Sequence, residues 1–256
     1  TGDCLKVELR AGNVYTSRNI VSFIGPLLSH YQKRFPSSYR IVRGDSGFAH
    51  KELYKLCETL NTNYVIRLKA NATLYRLAKE VMDVFLEECS LQYSQQFYGE
   101  FEYQAKSWDR PRRVIVQVRR KAGELIPNYL FLVTNMETRP EMVISLYAKR
   151  GTMENYIKEC KNGFRMDKVS HQHWMTNVNR IQLMVLAYNL INGFRRLTLP
   201  HEFSKMQIET LRIKLIKIAA KRVKQSRRIM FKLCSHHPYK EVFHHCLKTI
   251  QAIQLE

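Results

Sequence analysis

Apolar and polar positions alternate from Cys4 to Arg10, with Leu5, Val7 and Leu9 on one side, the period of a half-buried strand. Residues 17–35 then place Ile20, Phe23, Ile24, Leu27, Leu28 and Tyr31 at helical spacing, and the pattern ends at Phe35-Pro36, where proline disfavours continuation. Tyr39, Ile41 and Val42 lead a strand into Arg43-Gly44-Asp45-Ser46-Gly47-Phe48. A helix over 49–60 turns Leu53, Leu56 and Leu60 inward, and Tyr64 to Leu68 is the next apolar strand, so strand, helix and strand form a βαβ unit. A helix at about 71–89 precedes an alternating, aromatic-rich stretch over 91–134, which reads as an antiparallel β module. Residues 140–166 return to helical period, 175–197 form a largely apolar helix, and 238–253 a last one. Between them, 209–233 fits a β-hairpin with its turn at Gln225-Ser226-Arg227.

Composition narrows what such a chain can be. At 256 residues, 45% hydrophobic and 25% charged, with 10 Gly and 7 Pro, it is not a disordered or low-complexity sequence. No apolar run approaches the ~20 residues that span a bilayer, so a membrane partner is not expected. The six cysteines, Cys4, Cys57, Cys89, Cys160, Cys234 and Cys246, are scattered without a C-x-x-C pair, which argues for reduced thiols and a cytoplasmic setting. Charge is the sharper clue. Forty-two Lys and Arg against 22 Asp and Glu give a net charge of +20, and residues 171–256 alone hold 15 Lys and Arg against four acids. A basic surface of that size binds polyanions by counterion release, and double-stranded DNA leads the candidates.

Two acids stand out by placement. Asp45 closes a strand between Gly44 and Gly47, at a strand end where ligands of α/β folds sit. On one continuous helix, Tyr147, Arg150, Glu154 and Lys161 fall within about 60° of each other around the axis, which gathers one acid, two cations and a phenol on one face. Lys158 lies beside them, and a solvated face with an Arg150/Glu154 pair is the plainer reading.

The spacing Y-x2-R-x3-E-x6-K, complete at Tyr147, Arg150, Glu154 and Lys161, resembles the signature around the last acid of DDE transposases from bacterial insertion sequences. V-R-G-D-S-G-F resembles the segment around the second acid in one branch, and R-G-x-x-E-N-x-I-K-E-C the same branch around the third. The similarity runs over nearly the whole chain.

What the resemblance implies is an α/β, RNase H-like (retroviral-integrase-like) core whose carboxylates bind Mg²⁺, with Mn²⁺ as a substitute. Asp45 and Glu154 then carry catalysis and metal binding. The family's first acid is expected upstream of Thr1, so the chain reads as a fragment, inactive by itself. The implied division is 1–90 and 135–200 for the core, 91–134 for an inserted β module and 201–256 for a basic tail. Tyr147, Arg150, Lys158 and Lys161 would grip DNA beside the cut, as would Arg222, Arg227 and Arg228 in the tail, while Trp108 offers a ring for an unstacked base. The implied assembly is a homodimer on paired element ends, in a bacterial cytoplasm at the nucleoid. A non-catalytic DNA-binding descendant and an RNase H-like nuclease are the alternatives. Cys234, His236, His237, His244, His245 and Cys246 fit no standard zinc spacing.

Overall fold

The computed structural model describes residues 2–15, 17–87, 92–226 and 228–254, without the side chains of 83–87. Cys89 and Arg227 lie outside the described residues. The chain divides into two compact units, one of Gly12–Gly151 and one of Thr1–Ala11 with Thr152–Glu256, and these bounds differ from the four-part division expected above.

The first unit is a mixed five-stranded sheet with helices on both faces. Its elements are α1 (Ile20–Arg34), β1 (Ile41–Gly44), α2 (Lys51–Thr59), β2 (Asn63–Leu68), α3 (Ala72–Glu87), β3 (Gln95–Tyr103), β4 (Arg112–Arg120), β5 (Asn128–Thr134) and α4 (Pro140–Ala148). The strand order is β1-β2-β5-β4-β3, with β1 parallel to β2 and every other pairing antiparallel. Alternation along each strand sorts its side chains between two cores. Tyr64, Ile66, Val114, Val116, Phe131 and Val133 meet α1, α2 and α3 on one face. Val65, Ile115 and Leu132 meet Val143, Ile144 and Tyr147 of α4 on the other. Burial on both faces explains the near-continuous apolar runs of β2, β4 and β5. Through the β2–β5 ladder, the strands of 91–134 join β1 and β2 in one sheet.

The second unit is helical. It holds the body of α5 (Arg150–Phe164), α6 (Trp174–Thr198), α7 (Ile208–Leu211), a hairpin of β6 (Ala220–Gln225) and β7 (Arg228–Leu233), and α8 (Lys240–Ala252). Phe164, Tyr188, Leu199, Ile208, Leu211, Leu215 and Cys246 form its core. α5 and α7 approach so closely that a Cβ on Gly163 would stand 2.1 Å from Ile208 Cγ2.

Three expectations change here. Cys4 to Arg10 forms no strand and joins neither sheet. Its backbone is bonded by side chains of α6: Asn189 Oδ1 accepts from Cys4 N at 2.8 Å, Asn189 Nδ2 donates to Cys4 O at 2.8 Å, and Gln182 Nε2 donates to Val7 O at 3.4 Å. Residues 208–216 are helical rather than the first arm of the hairpin, because Ile208, Leu211 and Leu215 bury one side at helical spacing. The single helix over 140–166 is two, α4 and α5, broken at Lys149.

Inside the helical unit, Glu159 of α5 and Arg195 of α6 form an ion pair in which each side chain is only 12% exposed. Arg195 donates to both carboxylate oxygens, and Ile208 N–H adds a third hydrogen bond at 2.9 Å. Burial pushes the Glu159 carboxyl upward, but the bonds from Arg195 and Ile208 outweigh it and hold it below its ordinary value. A carboxyl depressed by folding adds stability above its unfolded value, about 4.3, and that stability drains as pH falls through the lower folded value. Between pH 6 and pH 3, the hydrogen-exchange protection factors of α5 and α6, corrected for the intrinsic rate at each pH, are therefore expected to fall in the wild-type chain. Glu159→Gln should be less protected at pH 6 and flatter across the range; equal slopes for the two proteins would contradict the assignment.

Candidate active site

Asp45 begins where β1 stops. Its backbone is extended (φ −79°, ψ −175°), and its side chain caps the short 3₁₀ turn Ser46–Phe48, Oδ1 accepting from Gly47 N at 3.0 Å. The neighbouring glycine supplies room rather than a special φ: a Cβ on Gly44 would lie 3.1 Å from Phe48 Cβ. The carboxylate is 45% exposed, so it is both fixed and reachable.

The break at Lys149 gives this acid a cation. Arg43, two residues earlier on β1, sends its guanidinium to Leu146 O at 2.7 Å, a carbonyl in the last turn of α4 that would otherwise lack a helical donor. The end of α4 is thus tied to the end of β1. Arg150 stands two residues past Ala148, the last residue of α4, and its Nη2 lies 3.5 Å from Asp45 Oδ2. Arg43 makes this tie, although the V-R-G-D-S-G-F stretch that contains it points to Asp45 alone. Its only sequence signal was a cation in a strand otherwise made of Ile, Val and Gly, one residue before the glycine that precedes Asp45.

The other expected residues divide by unit. Tyr147 belongs with Asp45 and Arg150 in the sheet unit, but it is 8% exposed, its ring packed in the core beneath α4. Glu154, Lys158 and Lys161 belong to the helical unit, all exposed on α5. Glu154 and Lys161, seven residues apart, share one face of that helix, and the break at Lys149 removes Tyr147 from it. Trp108 is not the base-stacking platform expected from the sequence. It is 8% exposed, with Tyr54 and Tyr103 edge-on at 5.3 and 5.4 Å and the Arg112 guanidinium at 5.7 Å, so no ring face is left for a base. Arg222 and Arg228 are exposed on the hairpin.

Among the described residues, no group of three or more His, Cys, Asp or Glu is placed to hold a metal ion. Cys246, one of the cysteines in the His/Cys array, is buried, its thiol directed at Thr198 O at 3.6 Å. No described helix is long and apolar enough to cross a membrane.

A mixed α/β sheet with a capped, accessible aspartate at the end of a parallel strand is a frame for a carboxylate enzyme whose ligand sits at the strand ends. The family model of the transposase DDE domain, group 1, matches residues 1–255, and the chain belongs to that family. It is accordingly a transposase-type enzyme of nucleic-acid transfer whose substrate is DNA. No curated protein matches it.

Proposed function

We propose that this chain is the catalytic domain of a transposase that cuts DNA at the ends of a mobile element, an insertion sequence, and joins the freed 3′ ends to a second duplex by transesterification, with Asp45 and Glu154 as two of the catalytic carboxylates. The observation that carries the reading is Asp45 itself: an acid fixed by its own turn, exposed, and set beside Arg150 within a chain of this family. The fold we read with it is an RNase H-like core in which the strands of 91–134 continue the sheet of β1 and β2 instead of forming a separate inserted module.

The donor chemistry suits Mg²⁺, which takes hard carboxylate oxygens, and Mn²⁺ in its place; Asp45 and Glu154 are the residues that would hold it. When bound, such ions neutralise the charge on the attacking and leaving oxygens of phosphoryl transfer. The remaining roles fall to the chain's own groups. Arg150, tethered by its place just past α4, offers a planar pair of donors to a phosphate at the strand end. Lys158 and Lys161 on the exposed side of α5 act as point charges on the DNA backbone, and Arg222, Arg227 and Arg228 extend that contact into the tail. Tyr147 acts indirectly, its buried ring bracing the end of α4 from which Arg150 departs. The working assembly is a homodimer on paired ends in the bacterial cytoplasm, at the nucleoid.

The test uses the full natural protein and a duplex carrying the ends of its own element, with Mg²⁺. Joining of a free 3′-hydroxyl end to a second duplex is the expected result. Hydrolysis without joining would make the protein a nuclease, and tight duplex binding with neither reaction would make it a non-catalytic DNA-binding protein.

A further inference from the structure

We infer that the β6–β7 hairpin is a separate DNA-docking arm, with Lys221 and Lys232, paired across its ladder, forming a phosphate clamp. The inference rests on the reading of the chain as a DNA-acting enzyme and adds to it a defined contact surface with two residues no motif singles out.

The ribbon is built against its own stability. Two-stranded ribbons are marginal in water unless something packs on them, yet every described residue of β6 and β7 is exposed except the half-buried Val223. The stretch 210–240 contains ten Lys and Arg and no Asp or Glu. Among the described residues, none of Lys221, Arg222, Lys224, Arg228 and Lys232 pairs with an acid. The register then sets Lys221 directly opposite Lys232. Like charges facing each other across a ladder, with Cβ atoms about 5 Å apart, destabilise the pairing. An anion lying between them reverses the sign.

The two faces of the ribbon are unlike. On one, Phe231 and Leu233 line a hollow of about 290 Å³ with Phe243 and His244 of α8, while alternation sets Arg222, Lys224 and Ile229 on the same face and Phe231 stays 66% exposed. Alternation puts Lys221, Arg228 and Lys232 on the other, with Val223 and Met230 between them. Cations thus stand on both faces, and Arg222 and Lys224 interrupt the exposed Ile229 and Phe231. Neither face is the unbroken apolar side that an element lying in a bilayer surface needs, whereas the DNA major groove, about 12 Å wide, accepts a two-stranded ribbon between its phosphate walls. Charge complementarity therefore commits the arm to duplex DNA.

The test measures binding of the purified chain to a random-sequence duplex by fluorescence anisotropy, without metal, between 50 and 200 mM salt. If each lysine neutralises one phosphate, the double variant Lys221→Gln, Lys232→Gln lowers the slope of log affinity against log salt by about 1.8, so its loss over that range is about tenfold smaller than the wild type's. Lys221→Glu separates binding from folding. It sets an acid opposite Lys232, and should raise hydrogen-exchange protection of the β6–β7 amides while weakening duplex binding at least about tenfold at 150 mM salt. Wild-type binding with an unchanged slope in the double variant would overturn the arm and leave the DNA reading standing. Absence of wild-type duplex binding even at 50 mM would overturn both. Loss of binding to phosphatidylserine vesicles, with duplex affinity unchanged, would overturn the arm in favour of a membrane.

Discussion

Arg112→Met is expected to destabilise the sheet unit by about 3–5 kcal/mol, the cost of breaking a buried ion pair by removing one partner. Arg112 opens β4 with its side chain only 3% exposed. Its guanidinium donates to both oxygens of Glu58, at 3.2 and 3.4 Å, and to Asp109 at 3.1 Å. It also lies 5.1 Å from the centre of the Tyr54 ring. Burial alone would lower the pKa of the guanidinium, but its bonds to Glu58 and then Asp109 outweigh it and hold the charge in place. Methionine fills much of the volume and supplies none of the donors, leaving Glu58, which also accepts from Tyr64 Oη at 3.1 Å, with only the exposed Arg110 as a cation. The measurement is urea unfolding followed by Trp108 emission in a Trp174→Phe background, so that the only tryptophan reports on this unit. Adding Glu58→Leu should return part of the loss, since a pair removed together leaves no orphaned charge. A loss under about 1 kcal/mol for Arg112→Met would show that the network carries little.

The contrast between Arg112 and Arg150 marks what a sequence can and cannot reveal. β2, β4 and β5 were legible because their apolar runs are long and β-branched, and α2 and α8 because their period is clean. Arg112, at the head of a strand beside Arg113, looks like surface charge; only the arrival of Glu58 and two aromatic rings from elsewhere in the chain makes it core. The burial of Trp108 is hidden for the same reason, as an exposed and a buried indole read alike in one dimension. The alternation at Cys4 to Arg10 was real, but the partners of that backbone are amide side chains some 180 residues away, which no local pattern encodes. At the site, Asp45 was legible from its place after a strand. The break at Lys149 was not, because no proline marks it and the helical period runs through it.

Asp45→Asn and Glu154→Gln are each expected to lower DNA strand cleavage by at least about 10³-fold, or ~4 kcal/mol of transition-state stabilisation, with the fold and the duplex affinity kept. Both changes preserve volume and remove only the negative charge. In Asp45→Asn the amide oxygen can still accept from Gly47 N, so the turn after β1 survives, and the exposed pairing with Arg150 is worth about 1 kcal/mol or less. Glu154 is exposed on α5, where Gln suits a helix as well as Glu does. Stability should therefore move by under about 1 kcal/mol, and duplex binding should hold or strengthen, since each variant removes an anion from a chain whose substrate is a polyanion. Loss of cleavage with binding intact is the behaviour of groups that act on the reacting phosphate rather than on DNA capture. Single-turnover cleavage by the full natural protein, with DNA held above its dissociation constant, separates the two. Cleavage within tenfold of the wild type in either variant would remove that residue from the catalytic set.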